Sequence, residues 1–123
     1  MSIKVLSIED DGVAAIACEG DLDGLAMNNG DTADLEEHLG EGWATKRVAL
    51  DLSESEYMDS AAVGWLLSLH KAFEKAGGRL VVCGIQPPVK RVLELMRIEQ
   101  VVPMAEDREA ALQQLREGGS NDA

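Results

Sequence analysis

Aromatic side chains and positive charge are both scarce in this 123-residue chain. Phenylalanine, tyrosine and tryptophan make up 3% of it, too few to build the stacking platform on which single-stranded nucleic acids bind. Eleven lysines and arginines stand against 23 aspartates and glutamates, which gives a formal net charge of −12. Because affinity for nucleic acids and for anionic membrane surfaces depends on cationic side chains, we expect no nucleic-acid partner and no membrane docking.

Long apolar runs and frequent cysteines are also missing. No stretch approaches the roughly 20 apolar residues needed to cross a bilayer, and the first residues lack the apolar core of a secretory signal. The two cysteines, Cys18 and Cys83, lie in apolar strand-like segments without metal-ligand neighbours, a pattern typical of buried thiols. We therefore expect a cytoplasmic protein that holds no metal or other cofactor and does not insert into a membrane.

Motifs for catalysis are absent too. His38 and His70 lie far apart in sequence and belong to no recognisable pattern, and the glycines form no phosphate-binding loop. Nothing pairs a nucleophile with a base, so we predict that the protein is not an enzyme. Asp21 and Asp23 follow a predicted strand, where loop residues either form a turn or contact a partner.

The pattern of apolar residues predicts one α/β domain over residues 1–117, followed by a polar, disordered tail at 118–123. About five strands are expected from alternation and short apolar runs: 3–8, 13–18, 48–52, 80–82 and 101–102. About four helices are expected from capping residues and helical spacing. One is capped by Asp31 or Thr32 and runs to about Leu39, one begins directly after Asp59-Ser60 and ends at Gly77-Gly78, and two cover 87–96 and 106–115. The first two strands form a hairpin, and the third has the composition of a buried parallel strand.

The helix after Asp59 has an apolar arc that we expect to face the sheet, formed by Ala62, Trp65, Leu66, Leu69, Ala72, Phe73 and Ala76. Val63 and Leu67 fall outside this arc, on the side of Ser60 and Gly64. They either form a contact patch for another protein or pack under a neighbouring helix. Ser60 itself either caps the helix or accepts a phosphate at the positive end of the helix dipole.

The window from Val48 to Leu80 carries the most specific signal. It contains Val-Ala-Leu-Asp-Leu, then Tyr-Met-Asp-Ser-Ala-Ala-Val-Gly-Trp-Leu-Leu, and it ends in Ala-Gly-Gly-Arg-Leu. With Gly20-Asp21-Leu22-Asp23 before it and Pro88-Val89-Lys90-Arg91-Val92-Leu93 after it, the chain resembles the STAS domain family, and within it the small bacterial anti-sigma factor antagonists. The resemblance implies a mixed sheet flanked by helices.

The resemblance also implies that Ser60 is a switch serine. The family pattern is commonly Asp-Ser-Ser-Gly-Leu-Gly, whereas this chain has Asp-Ser-Ala-Ala-Val-Gly, so Ala61 replaces a second hydroxyl. The implied partners are an anti-sigma factor that is a serine kinase of the ATPase fold, and a phosphatase that removes the phosphate. From the loop, the helix and the resemblance together, the expected contact residues are Asp21, Asp23, Asp59, Ser60, Ala61, Val63, Gly64 and Leu67. The alternative is a phosphorylation-independent scaffold or regulatory subunit of a transporter or signalling assembly.

Overall fold

The computed structural model describes residues 2–9, 11–22 and 32–118. Five strands lie in this part of the chain: β1 (Ser2–Ile8), β2 (Val13–Glu19), β3 (Arg47–Glu54), β4 (Arg79–Cys83) and β5 (Met104–Ala105). Four α-helices accompany them: α1 (Thr32–Leu39), α2 (Ser60–Ala76), α3 (Pro87–Leu95) and α4 (Arg108–Gly118). Short 3₁₀ turns cover Trp43–Thr45 and Ile98–Gln100.

The five strands form one sheet in the order β1-β2-β3-β4-β5. The pair β1 and β2 is antiparallel, and each later neighbour pair is parallel. The hairpin turn uses Gly12 at a positive φ of 86°, which only glycine adopts readily. The predicted mixed sheet with an N-terminal hairpin and flanking helices is therefore confirmed.

The two faces of the sheet are covered unequally. Successive residues of a strand point to opposite faces, so each strand contributes side chains to both. On one face, Ile16, Leu50 and Val82 pack in a large apolar cluster that also includes residues of α1, α2 and α3. On the other face, Ala15, Ala49 and Val81 pack against Ala111 and Leu115 of α4. The small alanine side chains let α4 lie close to the sheet.

Two predicted elements near the C-terminus shift. The strand expected at Val101–Val102 is wrong, because the amides of both residues donate to the carbonyl of Ile98 at 2.9 and 2.8 Å and so close the turn that begins there. Pairing with β4 begins only after Pro103, at Met104. Helix α4 starts at Arg108 because Asp107 caps it, with its Oδ1 accepting from the Ala110 amide at 2.8 Å. Of the predicted tail, Gly118 ends this helix, and residues 119–123 lie outside the described residues.

Helix α2 is rotated relative to the predicted arc. Its buried residues are Ala62, Val63, Leu66, Leu69, His70 and Phe73, whereas Ala76 is exposed. The rotation places Val63 and His70 in the interior, two residues that the predicted arc left outside.

No helix in the described ranges combines the length and the apolar character that crossing a membrane requires.

Both cysteines are buried, as the sequence predicts. The Cys83 thiol donates a hydrogen bond to the Leu50 carbonyl, with 3.7 Å between Sγ and oxygen. Burial, which disfavours the charged thiolate, raises the pKa of Cys18 to about 12 and the pKa of Cys83 to about 12.

We expect neither thiol to react with a disulfide reagent in the folded protein at neutral pH, because the thiolate is the reactive form and both pKa values lie near 12. The release of thionitrobenzoate in buffer should be negligible, and it should reach two equivalents when the same sample is unfolded in guanidinium chloride. Rapid reaction of one equivalent in buffer would contradict the buried placement.

Candidate functional site

Two segments that are distant in sequence meet at the edge of the sheet where the parallel strands end. Leu22 follows β2, and Met58 lies between β3 and α2, and the two form an isolated parallel bridge. The Leu22 amide donates to the Tyr57 carbonyl at 2.9 Å, and the Asp59 amide donates to the Leu22 carbonyl at 3.1 Å. Leu22 and Met58 are both buried in the main apolar cluster, so this bridge fixes the start of α2 against the loop that contains Asp21.

Asp59 is the N-cap of α2. Its backbone is extended, and its Oδ1 accepts a hydrogen bond from the Ala62 amide at 3.0 Å. The cap satisfies one of the N–H groups that have no partner within a helix. The alternative in which Ser60 caps the helix is therefore wrong, because the preceding residue already performs that role.

Ser60 is the first residue of α2, and it is exposed. Its hydroxyl is accessible at the helix end where the remaining first-turn amides and the helix dipole favour negative charge. From Glu54 to Gly64 the chain contains three acidic residues and no lysine or arginine. A phosphate on Ser60 would thus be held by backbone donors without an ion pair to a basic residue of its own segment.

The outward side of the first two turns of α2 carries small side chains. Ala61 and Gly64 are exposed, and Leu67 is half-buried. A Cβ atom added at Gly64 would meet nothing within 4 Å, so packing inside the domain does not require a glycine there. A glycine within a helix costs about 0.5–1 kcal/mol relative to alanine, and close approach by another molecule is the kind of role that offsets such a cost.

Not all expected contact residues lie on this surface. Val63 is 1% exposed and belongs to the main apolar cluster together with Leu22 and Met58. The Val63 side chain therefore packs in the core and offers no surface to a partner. Asp21 is exposed beside the bridge, and Asp23 lies outside the described residues.

Tyr57 is a surface residue that the sequence reasoning did not select. It immediately precedes the Met58 bridge, and it is 50% exposed. An aromatic side chain exposed beside Asp59 and Ser60 is of the type enriched at protein contacts. Its position in the sequence could have identified it as a contact residue, because it is the only tyrosine in the chain and lies three residues before Ser60.

The described residues contain no group of three or more histidine, cysteine, aspartate or glutamate side chains placed to hold a metal ion. His38 is exposed on α1, whereas His70 is buried on α2, and its Nε2 lies 3.4 Å from the Glu74 carboxylate. Neither histidine is near Ser60 in sequence, and the Ser60 segment of α2 contains no base.

Comparison with known proteins identifies related sequences and folds. A family model described as the STAS domain matches residues 7–111. An anti-sigma F factor antagonist from Paenibacillus polymyxa is 30% identical over 70 residues, which are 57% of this chain and 60% of that protein. The chain therefore spans less than two thirds of the length of this curated relative.

Two solved structures illustrate the shared fold. An anti-sigma factor antagonist from Mycobacterium paratuberculosis superimposes with a TM-score of 0.70 at 22% identity, covering 94% of this chain and 95% of the other. The Bacillus cell fate determinant SpoIIAA, solved in its phosphorylated form, gives a TM-score of 0.62 at 20% identity and covers 89% of this chain and 96% of its own.

We expect Asp59→Ala and Ser60→Ala to differ in stability. Loss of the Asp59 cap should lower the free energy of unfolding by about 0.5–2 kcal/mol, whereas the exposed Ser60 hydroxyl can be removed with a change within about 0.5 kcal/mol. Urea denaturation followed by circular dichroism measures both. A Ser60→Ala loss as large as that of Asp59→Ala would show that the serine, and not the aspartate, supports the helix start.

Proposed function

The chain belongs to the STAS domain family, and on this premise we propose that it is an anti-sigma factor antagonist whose partner binding is controlled by phosphorylation of Ser60. In this proposal residues 1–117 act as one binding domain in the cytoplasm and catalyse no reaction. The unmodified chain binds an anti-sigma factor that is also a serine kinase of the ATPase fold. Phosphorylation by that kinase releases the chain, and a phosphatase restores it.

The observation that carries the proposal is the division of roles between Asp59 and Ser60. Asp59 makes the cap hydrogen bond, which leaves the neighbouring serine exposed at the first position of α2. A kinase can therefore reach the hydroxyl without unfolding the helix. The relative in Paenibacillus bears the name anti-sigma F factor antagonist, and the related SpoIIAA is known in a phosphorylated form.

The energetics favour release of a partner over disruption of the domain. A phosphate adds about −1.5 to −2 charges at neutral pH, and the helix N-terminus stabilises such a charge by about 0.3–1 kcal/mol. Within a protein interface, a buried charge without a counterpart costs about 2–5 kcal/mol. At about 1.4 kcal/mol per tenfold change in affinity, phosphorylation should lower the affinity for the partner by a factor of tens to thousands. The fold of the domain should persist.

The proposed contact surface follows the exposed and half-buried residues around the start of α2. It consists of Asp21, Asp59, Ser60, Ala61, Gly64 and Leu67, with Tyr57 added from the structure and Val63 left out because it is buried. Asp23 remains part of the proposal on the resemblance alone. The surface combines carboxylates with apolar area, so the complementary partner surface should carry basic and apolar side chains.

A second candidate function is a phosphorylation-independent scaffold or regulatory subunit of a transporter or signalling assembly. The observation that favours it is Ala61, which is exposed where the family pattern has a second hydroxyl. In that case partner binding should be insensitive to charge at position 60, and the affinity of Ser60→Asp for the partner measures this directly.

We expect the ATPase-fold serine kinase encoded nearest to the gene of this protein to transfer one phosphate to Ser60. Incubation with ATP followed by peptide mass spectrometry should locate the phosphate there and detect none in Ser60→Ala. The control is Ser68→Ala, since Ser68 is also exposed on α2 and its loss should leave phosphorylation intact.

The same kinase should bind Ser60→Asp at least about tenfold more weakly than the unmodified chain, equivalent to about 1.4 kcal/mol, while Ser68→Asp should bind normally. Calorimetry measures these affinities. An absence of phosphate at Ser60, together with undiminished binding of Ser60→Asp, would falsify the switch and favour the scaffold.

Gly64→Ala should separate stability from binding. The substitution fits without a contact in the domain and should raise the free energy of unfolding by about 0.5–1 kcal/mol. The added methyl group lies on the proposed surface, so the affinity for the kinase should fall. Lys75→Ala is the control because Lys75 is exposed in the last turn of α2, about 16 Å further along the helix. If Gly64→Ala gains stability and keeps full affinity, Gly64 is not part of the contact surface.

A further inference from the structure

The outer side of α3 carries an exposed leucine among charged side chains. Leu95 is 76% exposed, more than any other large apolar side chain in the described part of the chain. It lines a shallow surface depression of about 600 Å³ together with Pro87, Lys90, Arg91 and Glu94. These five residues are called the α3 face below, and none of them belongs to the contact surface proposed around the start of α2.

Two further exposed apolar residues follow directly after the α3 face. Met96 is 46% exposed and Val101 is 52% exposed. The chain between them is folded into turns, the first of which is closed by the Arg97 amide donating to the Glu94 carbonyl at 3.1 Å. Three of the five exposed large apolar side chains among residues 2–9, 11–22 and 32–118 thus lie within residues 95–101. Exposed apolar residues that are grouped in this way and bordered by polar ones mark protein contacts.

Helix α3 is fixed to the domain by its inner side. Val89 and Leu93 are buried in the main apolar cluster. By contrast, Lys90, Arg91 and Glu94 are exposed, and none of the three forms an ion pair with another described residue. Their charges are therefore available to another molecule, and their replacement should leave the domain folded.

The charge of this segment differs from that of the rest of the chain. Residues 87–100 contain three basic and two acidic side chains, a net charge of +1, so the remainder of the −12 chain carries −13. Two copies that approach through the remaining, acidic surface repel each other. The segment 87–100 lacks this excess of negative charge and contains both signs. Both signs are needed where two identical surfaces meet, because each surface must then complement itself.

The order of the charges along α3 selects one orientation of such a pair. If two α3 helices lie parallel about a two-fold axis, Arg91 faces Arg91 of the other copy, and Glu94 faces Glu94. If they lie antiparallel, with the axis between residues 92 and 93, Arg91 of each copy faces Glu94 of the other. The same alignment places Leu95 against the aliphatic stem of Lys90, which can cover apolar surface while its amine stays in water. The antiparallel pair is therefore the favourable one.

We propose that the α3 face is a dimerisation surface whose occupant is α3 of a second copy of this chain, in the antiparallel two-fold arrangement. Leu95 and Pro87 supply its apolar part, and the two reciprocal pairs of Arg91 with Glu94 determine the orientation. The contact is formed by one short helix from each copy, and small interfaces are weak. We expect a dissociation constant between about 10 μM and 1 mM. The inference is independent of the function proposed for Ser60.

The test is sedimentation equilibrium of the full chain at concentrations up to about 1 mM. The salt concentration is about 0.15 M, where the Debye length of about 8 Å limits repulsion between distant charges. The mean mass should rise reversibly from 13.2 kDa towards twice that value. Leu95→Glu, Arg91→Glu and Glu94→Arg should each weaken association at least about tenfold. The control Lys75→Glu reverses a charge at an exposed position of α2 and should associate as the parent chain does.

The double variant Arg91→Glu/Glu94→Arg decides whether the two residues face each other across the dimer. It exchanges the two signs, so opposite charges meet again and association should return to that of the parent chain. A mass that stays at 13.2 kDa at every concentration would overturn the proposal. So would association that survives Leu95→Glu and both single charge variants, or a double variant as weak as the single ones. Circular dichroism checks that each variant is folded, and if one is not, the others still decide the question.

Discussion

The hydrogen bond from the Ala62 amide to the Asp59 carboxylate determines how the first turn of α2 is presented. Because this bond occupies the cap position, the next residue begins the helix with its side chain exposed. The Leu22–Met58 bridge holds the start of α2 in place, since it joins the loop after β2 to the segment that carries the cap. Together these contacts hold an exposed serine at the start of α2, which is the arrangement that the proposed phosphate switch requires.

The parallel order of β2, β3 and β4 explains why the loops meet at one edge. Parallel strands end at the same side of a sheet, and ligands and partners of such sheets commonly bind there. In this protein that edge carries Asp21, Tyr57 and Ser60, while the opposite edge carries the end of α2 and the start of β4.

Several elements could be predicted because their signals are local. Alternating and uninterrupted apolar residues identify β1 to β4, and Gly77 marks the end of α2 because a glycine at positive φ is a common helix terminator. The prediction failed at Val101–Val102, where two β-branched residues have a strand composition but hydrogen-bond to Ile98. It also counted Val63 among the contact residues, because the angular position on a helix does not reveal which neighbours cover that helix.

The amino-acid sequence alone determined the α/β fold class and the acidic character of the segment around Ser60, because both depend on residue type and short-range spacing. The mixed sheet and Ser60 as the candidate switch residue came from the resemblance of its motifs to the STAS domain family. Only the tertiary structure decided that Asp59 caps α2, that Val63 is buried and that Tyr57 is exposed beside Ser60. These features depend on contacts between segments that are far apart in the chain, such as the one between Leu22 and Met58, and no local pattern encodes which distant segment will cover a given side chain.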